Sequence, residues 1–220
     1  VHGQIELYNR VRNRLSEKFN PDNKVCPPIS IQIGDLGFAR DYTKINNKNG
    51  HFFFYGNHDD QESILDHRDY LGRFGRSSWF DFPIEFFWIG GGYSLDLAWR
   101  TPYTDWWPNE ELSLLEQEEC VKLYKKVKPN IVLSHECPDF VVDRIGDESI
   151  LVKFGLPTTW RSTTSKLLSH LYSIHQPKVW VFGHHHQKRE LTIGNTFFRC
   201  VNCIETGDLF EINYGDPNED

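Results

Sequence analysis

The sequence predicts an α/β fold, and three observations carry that prediction. Short apolar runs rich in β-branched and aromatic residues alternate with stretches whose apolar positions recur every three or four residues, the pattern of strands interleaved with amphipathic helices. The strands are short and apolar on both faces, as strands of a layered sheet are. Several of them run directly into a turn carrying Asp, Asn or His, at the carboxyl edge where open α/β sheets bind ligands.

Taken in order, Ile5, Tyr8, Val11, Leu15 and Phe19 share one helical face, which predicts a helix from Ile5 to Phe19. Ile29 to Ile33 is a strand ending in Gly34-Asp35. His51 to Tyr55 is a second, ending in Gly56-Asn57-His58-Asp59, and Phe86 to Ile89 a third, running into Gly90-Gly91-Gly92. A long helix is expected after Pro108-Asn109. Glu110 and Glu111 would sit in its first turn, with Lys125, Lys126 and Lys128 near its end, in accord with the helix dipole, and Pro129 as the stop. Ile131 to Leu133 then leads to Ser134-His135. Arg161 to His175 places Leu167, Leu171 and Ile174 on one helical face, and Lys178 to Phe182 runs into Gly183-His184-His185-His186. Asn195 to Val201 and Asp208 to Asn213 read as an antiparallel pair around Glu205-Thr206-Gly207-Asp208. No repeat or linker divides the chain, so residues 1–214 read as one domain and 215–220 as an acidic tail.

Composition narrows the function classes. With 39% hydrophobic and 25% charged residues among 220, the chain has enough apolar material for a packed core. A net charge of −7 and a pI of about 5.8 argue against long duplex nucleic acid as a partner, because binding its backbone needs clustered Lys and Arg. A small anionic substrate stays compatible, since bound cations reverse the local field. The five cysteines, Cys26, Cys120, Cys137, Cys200 and Cys203, are odd in number and irregularly spaced. They read as structural thiols in a reducing, cytoplasmic setting rather than a disulfide framework. No apolar run is long enough for a membrane span, and no signal peptide is visible.

The polar residues at the strand ends have the chemistry of a metal centre. Asp35 offers a carboxylate able to bridge two divalent cations, and Asn57 a neutral oxygen. His58 beside Asp59 reads as an oriented acid, since a neighbouring carboxylate fixes the tautomer of an imidazole. His135 is one imidazole at a strand end. His184 and His186, at i and i+2, both reach one metal centre or one each of an adjacent pair, while His185 points elsewhere. The Gly90 to Pro108 segment is dense in aromatic residues. It reads either as a loop anchored beside the core or as a substrate wall, with Arg100 on phosphate and Trp106 or a neighbouring Trp stacked on a ring. Arg161 with Thr163 and Thr164 is either a helix start or an anion contact.

Gly34-Asp35, Gly56-Asn57-His58-Asp59, His135 and Gly183-His184-x-His186, in this order, resemble the calcineurin-like metallophosphoesterases, with a bacterial or phage-type flavour in Gly91-Gly92-x-Ser94-x-Asp96 and Trp106-Trp107-Pro108. That resemblance implies a four-layer α/β sandwich with its metal site at the carboxyl ends of the strands. It implies two divalent ions (Mn, Fe or Zn) bridged by Asp35. Asn57, His135 and His184 would complete one site, and His2 with His186 would serve the other. His58, held by Asp59, would protonate the leaving oxygen of a small phosphate ester, mono- or diester, attacked by a metal-activated water. The alternative is a family member used as a non-catalytic binding scaffold. The family's first motif is Asp-x-His-Gly; here Val1-His2-Gly3 supplies its end, so the expectation is that the Asp and its strand precede residue 1.

Overall fold

In the computed structural model the described residues are 3–19, 29–37, 42, 45, 50–80, 82, 84–146 and 148–212. His2 and the 215–220 tail lie outside them, as does Cys26. The elements that matter here are α1 (Ile5–Phe19), β1 (Ser30–Ile33), β2 (His51–Phe54), α2 (Gln61–Ile64), β3 (Phe74–Arg76), β4 (Phe87–Ile89), α3 (Leu114–Val127), β5 (Ile131–Ser134), α4 (Asp139–Ile145), α5 (Glu148–Lys153), α6 (Thr163–Ile174), β6 (Val179–Phe182), β7 (Arg189–Ile193) and β8 (Thr196–Cys200).

The strands form two sheets. β1 and β2 pair in parallel, and the larger sheet runs β3-β4-β5-β6-β8-β7, parallel from β4 to β8 with antiparallel strands at both edges. Alternation of side chains across each strand decides which face meets what. Trp88, Leu133 and Val181 point from the large sheet toward Ile31, Ile33 and Phe54 of the small one, so the two sheets pack face to face. The opposite residues, Phe87, Ile89, Val132, Trp180, Phe182 and Phe198, pack under Cys120 and Tyr124 of α3, Val141 of α4 and Leu167, Leu168 and Leu171 of α6. Phe53 faces the other way from Phe54, toward the side where Tyr8 of α1 bonds His51. The layers are therefore helix, small sheet, large sheet, helices. This is the sandwich the resemblance implies.

Two expectations fail for identifiable reasons. The long helix begins at Leu114, not after Pro108-Asn109. Ser113 caps it and Glu116 reaches back to the Ser113 N–H, a reciprocal capping box that outcompetes the Pro signal. Glu110 and Glu111 are thereby freed for other contacts. β8 is paired not with Asp208–Asn213 but with β7, through a tight turn at Gly194-Asn195 and the register Ile193↔Thr196. Since β6 occupies the other side of β8, no edge remains for a later strand. Asp208 is instead drawn in by Arg199, whose guanidinium donates to it at 2.6 Å.

At the start of α6, Ser162 accepts the Ser165 N–H, and Arg161 is paired with Asp143, so this segment is a capped helix start. Among the described residues, Cys120, Cys137, Cys200 and Cys203 are free thiols. No helix among them is long and apolar enough to cross a membrane.

Candidate metal centre

Parallel register gathers the predicted residues on one rim. Ile33 is level with Phe54, so Asp35 and Gly56-Asn57 emerge side by side from the small sheet. Ile89, Ser134 and Phe182 are level in the large sheet, so Gly90, His135 and Gly183-His184 leave it together. The face-to-face packing of the sheets then brings the two groups of turns into contact. Gly34 makes the approach feasible: its φ is +91°, and a Cβ there would lie 2.4 Å from His135 Nδ1.

His135 Nε2 lies 3.2 Å from Asp35 Oδ1 and 3.0 Å from Asn57 Oδ1. His184 Nδ1 lies 3.1 Å from the same Asn57 oxygen. The hydrogens can be placed by elimination. Asn57 Nδ2 donates to Ser94 Oγ at 3.0 Å, which turns its Oδ1 inward. His135 Nδ1 donates to the Ile33 carbonyl at 2.8 Å, leaving Nε2 bare in the neutral ring. His184 Nε2 lies 3.3 Å from the Glu136 carboxylate, an ion-pair distance on the side of the ring away from Asn57. Two imidazole nitrogens, an amide oxygen and a carboxylate oxygen thus converge on one point.

Such a set calls for positive charge. Burial alone would lower the pKa of His135, yet the Asp35 carboxylate and its hydrogen bond raise it. His184 is pushed down to about 3, chiefly by burial, and so is neutral at pH 7, the form that ligates metal. The N/O donor set of Asp35, Asn57, His135 and His184 therefore fits a divalent cation. Asp35, His135 and His184 each present a donor atom within 4.8 Å of the others. His186 is not in that trio. Burial lowers its pKa against the pull of Asp35, which places it in electrostatic reach of the centre.

The backbone is unusual at these positions. Asp35, His184 and His186 adopt φ of 55°, 62° and 51°, the left-handed region, which is uncommon for residues with a side chain although Asp and His enter it more readily than most. Each follows closely on the end of a strand, and the tight reversal is what returns the side chain over the sheet edge.

The expectation that Asp59 holds the His58 ring is not met. Asp59 Oδ2 accepts the Gly56 N–H and Oδ1 the Gly37 N–H, both at 2.7 Å, with Tyr42 Oη at 3.3 Å. Being neighbours in a tight turn, the two side chains diverge, and the buried carboxylate finds backbone donors. Asp59 thus ties the turn after β2 to the turn after β1. Its pKa is raised to about 6, first by burial and then by Asp35, against the pull of those two N–H groups. His58 instead lies in the fields of Asp35, Arg100 and Asp96, with burial lowering its pKa most. Its own N–H donates to Asp35 Oδ1 at 3.1 Å.

Arg100 is near enough to feel Asp35, but its fork is occupied: Nε and Nη2 bond Asp96 at 2.8 and 2.6 Å, and Nη1 the Asp105 carbonyl at 3.0 Å. Trp106 is half-buried, its carbonyl accepting the Tyr103 N–H at 2.7 Å. The exposed aromatics of this segment are Trp99, 67% accessible beside Phe154, and Tyr103, 65% accessible.

Three supporting residues escaped the sequence reading. Ser94 orients Asn57 and is itself held by Glu110, which accepts the Ser94 N–H at 3.1 Å and its hydroxyl at 2.6 Å. Glu136 meets both His184 and His185. A signal existed for Glu136, an acid directly following a strand-end His. For Ser94 and Glu110 it did not, since 16 residues separate them and no periodicity links the two.

The chain matches the calcineurin-like phosphoesterase family over residues 2–188 and belongs to it. No curated protein matches it. Among solved structures, it is similar to TT1561 of Thermus thermophilus, at 16% identity and a TM-score of 0.48, covering 93% of this chain and 87% of that one.

Proposed function

We propose that this protein hydrolyses a small phosphate ester, mono- or diester, with two divalent cations. The observation that supports this best is the convergence of four electron-rich atoms, from Asp35, Asn57, His135 and His184, on the rim where the parallel strands end. These four would hold one ion, and Asp35, His186 and His2 would serve the second. Bound cations would supply Lewis-acid polarisation of the phosphoryl oxygens and a lowered pKa for the attacking water. Mn, Fe and Zn all suit the donor set.

The chain's own contribution is placement and exclusion. Asp59 ties the Asp35 and Asn57 turns together through backbone N–H groups. His58, kept neutral at pH 7 by burial, would donate a hydrogen bond to the leaving oxygen as charge develops there. Trp99, exposed on the loop that feeds Ser94 into the site, would form a wall for a substrate ring.

The test is hydrolysis of p-nitrophenyl phosphate and bis-p-nitrophenyl phosphate by the full chain with Mn²⁺, Zn²⁺ or Fe²⁺. Turnover that falls by at least about 100-fold in Asp35→Asn is the expected result. Metal binding without turnover on any ester would favour a binding scaffold. Absence of both would defeat the proposal.

A further inference from the structure

The turns that leave β5 and β6 carry donors on two sides. His135 and His184 approach Asn57 and Asp35, while the residues that follow them, Glu136 with Cys137 and His185, meet one another. A carboxylate oxygen, a thiol sulfur and a ring nitrogen of these three lie within 4.8 Å of each other. His185 Nε2 is the meeting point, 2.7 Å from Glu136 Oε1 and 3.3 Å from Cys137 Sγ. None of the three serves the Asp35 centre. The His184 ring stands between the two places, with Nδ1 on the Asn57 side and Nε2 3.3 Å from Glu136 Oε2.

The trio is built into the fold. Glu136 is 5% exposed and Cys137 0%. Ser134 Oγ donates to the Glu136 carbonyl at 2.5 Å and accepts the Trp180 indole N–H at 2.8 Å. Ser165 Oγ, on α6, donates to the Cys137 carbonyl at 2.8 Å. Phe182 meets the His185 ring edge-on, centroids 6.1 Å apart. The donor atoms are thus held in place by backbone and packing rather than only by one another.

Protons alone serve this trio poorly. If His185 Nε2 carries the hydrogen, Glu136 Oε1 accepts it together with the Cys137 N–H at 2.9 Å, which fills both of its lone-pair sites. The thiol then faces a ring nitrogen that is itself a donor. If Nε2 is bare it can accept the S–H, but it turns a lone pair on the carboxylate. Charge points the same way. Among the described residues Glu136 pairs with no Lys or Arg, only with imidazoles, and a buried carboxylate calls for a cation. One divalent ion resolves both. Binding releases the thiol proton, the ring keeps its hydrogen on Nδ1, and thiolate, carboxylate and neutral imidazole each direct a lone pair at the ion. Their two negative charges cancel its two positive ones.

We propose that Glu136, Cys137 and His185 hold a zinc ion of their own, apart from the Asp35 centre, which fastens the turn after β5 to the turn after β6. Thiolate and imidazole select Zn²⁺ over harder cations, and three protein ligands leave the fourth tetrahedral position open. The site gives the middle histidine of Gly183-His184-His185-His186 a role. It stands on its own ligands, whether or not the Asp35 centre cleaves an ester. A thiol–imidazole nucleophile, the other chemistry such residues offer, is closed off because substrate cannot reach a Cys137 that is wholly buried.

The test is titration of the chelator-stripped full chain with Co²⁺, a spectroscopic stand-in for Zn²⁺, followed by elemental analysis after zinc loading. A sulfur-to-cobalt charge-transfer band in the near ultraviolet should grow and saturate at one equivalent. The Asp35, Asn57, His135 and His184 set contains no sulfur and cannot produce it. Cys137→Ser should lose the band and one equivalent of zinc, while Cys203→Ser, at a thiol outside the trio, should keep both. His185→Gln, at a half-buried position, should also lose one equivalent of zinc and decides the matter if Cys137→Ser fails to fold, with thermal melting as the control. No band in the parent, or a band and zinc content unchanged in Cys137→Ser or in folded His185→Gln, would overturn the assignment. Failure of the phosphoesterase reading shows separately, as absent ester turnover with the cobalt band intact.

Discussion

Asn57 donates its amide N–H to Ser94 Oγ at 3.0 Å, and this one bond decides which end of the amide faces His135 and His184. Ser94→Ala removes that acceptor and also strips a donor from buried Glu110. The expected cost is about 1–3 kcal/mol in unfolding free energy, read by urea denaturation. Weaker Mn²⁺ binding should accompany it, and a variant that lost stability alone would show the amide orientation to be fixed by other contacts.

Gly56 separates the two turns with almost no room to spare. A Cβ there would lie 2.3 Å from Asp35 Oδ1 and 2.5 Å from the Asp35 backbone N. Backbone cannot step aside as a flexible side chain does. Gly56→Ala should therefore displace Asp35 and abolish metal-dependent turnover while the far sheet edge stays folded. Unchanged activity would mean that β1 and β2 slide apart easily.

His51 is buried, with Ser30 Oγ on Nδ1 at 2.7 Å and Tyr8 on Nε2. Burial, with Arg12 and His67 adding to it, holds its pKa well below 6.5. The folded protein holds this ring in its neutral form to lower pH than the unfolded chain does, so the unfolded state binds more protons and stability rises with pH. The His51 contribution is present above about pH 6.5 and lost as pH falls, by up to about 2 kcal/mol at pH 5. Denaturation midpoints at pH 7 and pH 5 should differ less in His51→Gln than in the parent. Equal differences would show that His51 does not titrate on unfolding.

Arg199 is 2% exposed on β8 and divides its guanidinium between Asp208, 5% exposed, and Glu190, 55% exposed. The Asp208 pair is the one that counts, because water screens Glu190. Arg199→Leu leaves the buried Asp208 carboxylate with only the Asn202 N–H at 2.9 Å and the more distant Lys188 at 3.6 Å, and should cost about 3 kcal/mol. Arg199→Leu combined with Asp208→Leu should recover most of it. A double variant as unstable as the single would place the loss in packing rather than charge.

Much of the centre was legible because strand ends are read easily. Asp35, Asn57, His135 and His184 each follow an apolar run, and parallel pairing does the rest without further information. What the sequence hid were orientations and competitions. Asp59 adjoins His58, and adjacency suggested a pair, but a turn sends consecutive side chains apart. Ser113 and Pro108 both signal a helix start, and only the reciprocal bond with Glu116 decides between them. The partner of β8 depended on which edge was already taken, a property of the whole sheet. Arg100 looked available for phosphate until Asp96, four residues earlier, claimed its fork.

The left-handed backbone at Asp35, His184 and His186 carries one more implication. Each such residue costs on the order of 1–3 kcal/mol that glycine or asparagine would recover in part. Decay at these positions is thus downhill for folding: a chain drifting without a task would gain robustness by shedding them. Asp35→Asn should melt no lower than the parent, even as it silences the centre. The rim is a standing debt against stability, and its intactness argues for continuing use.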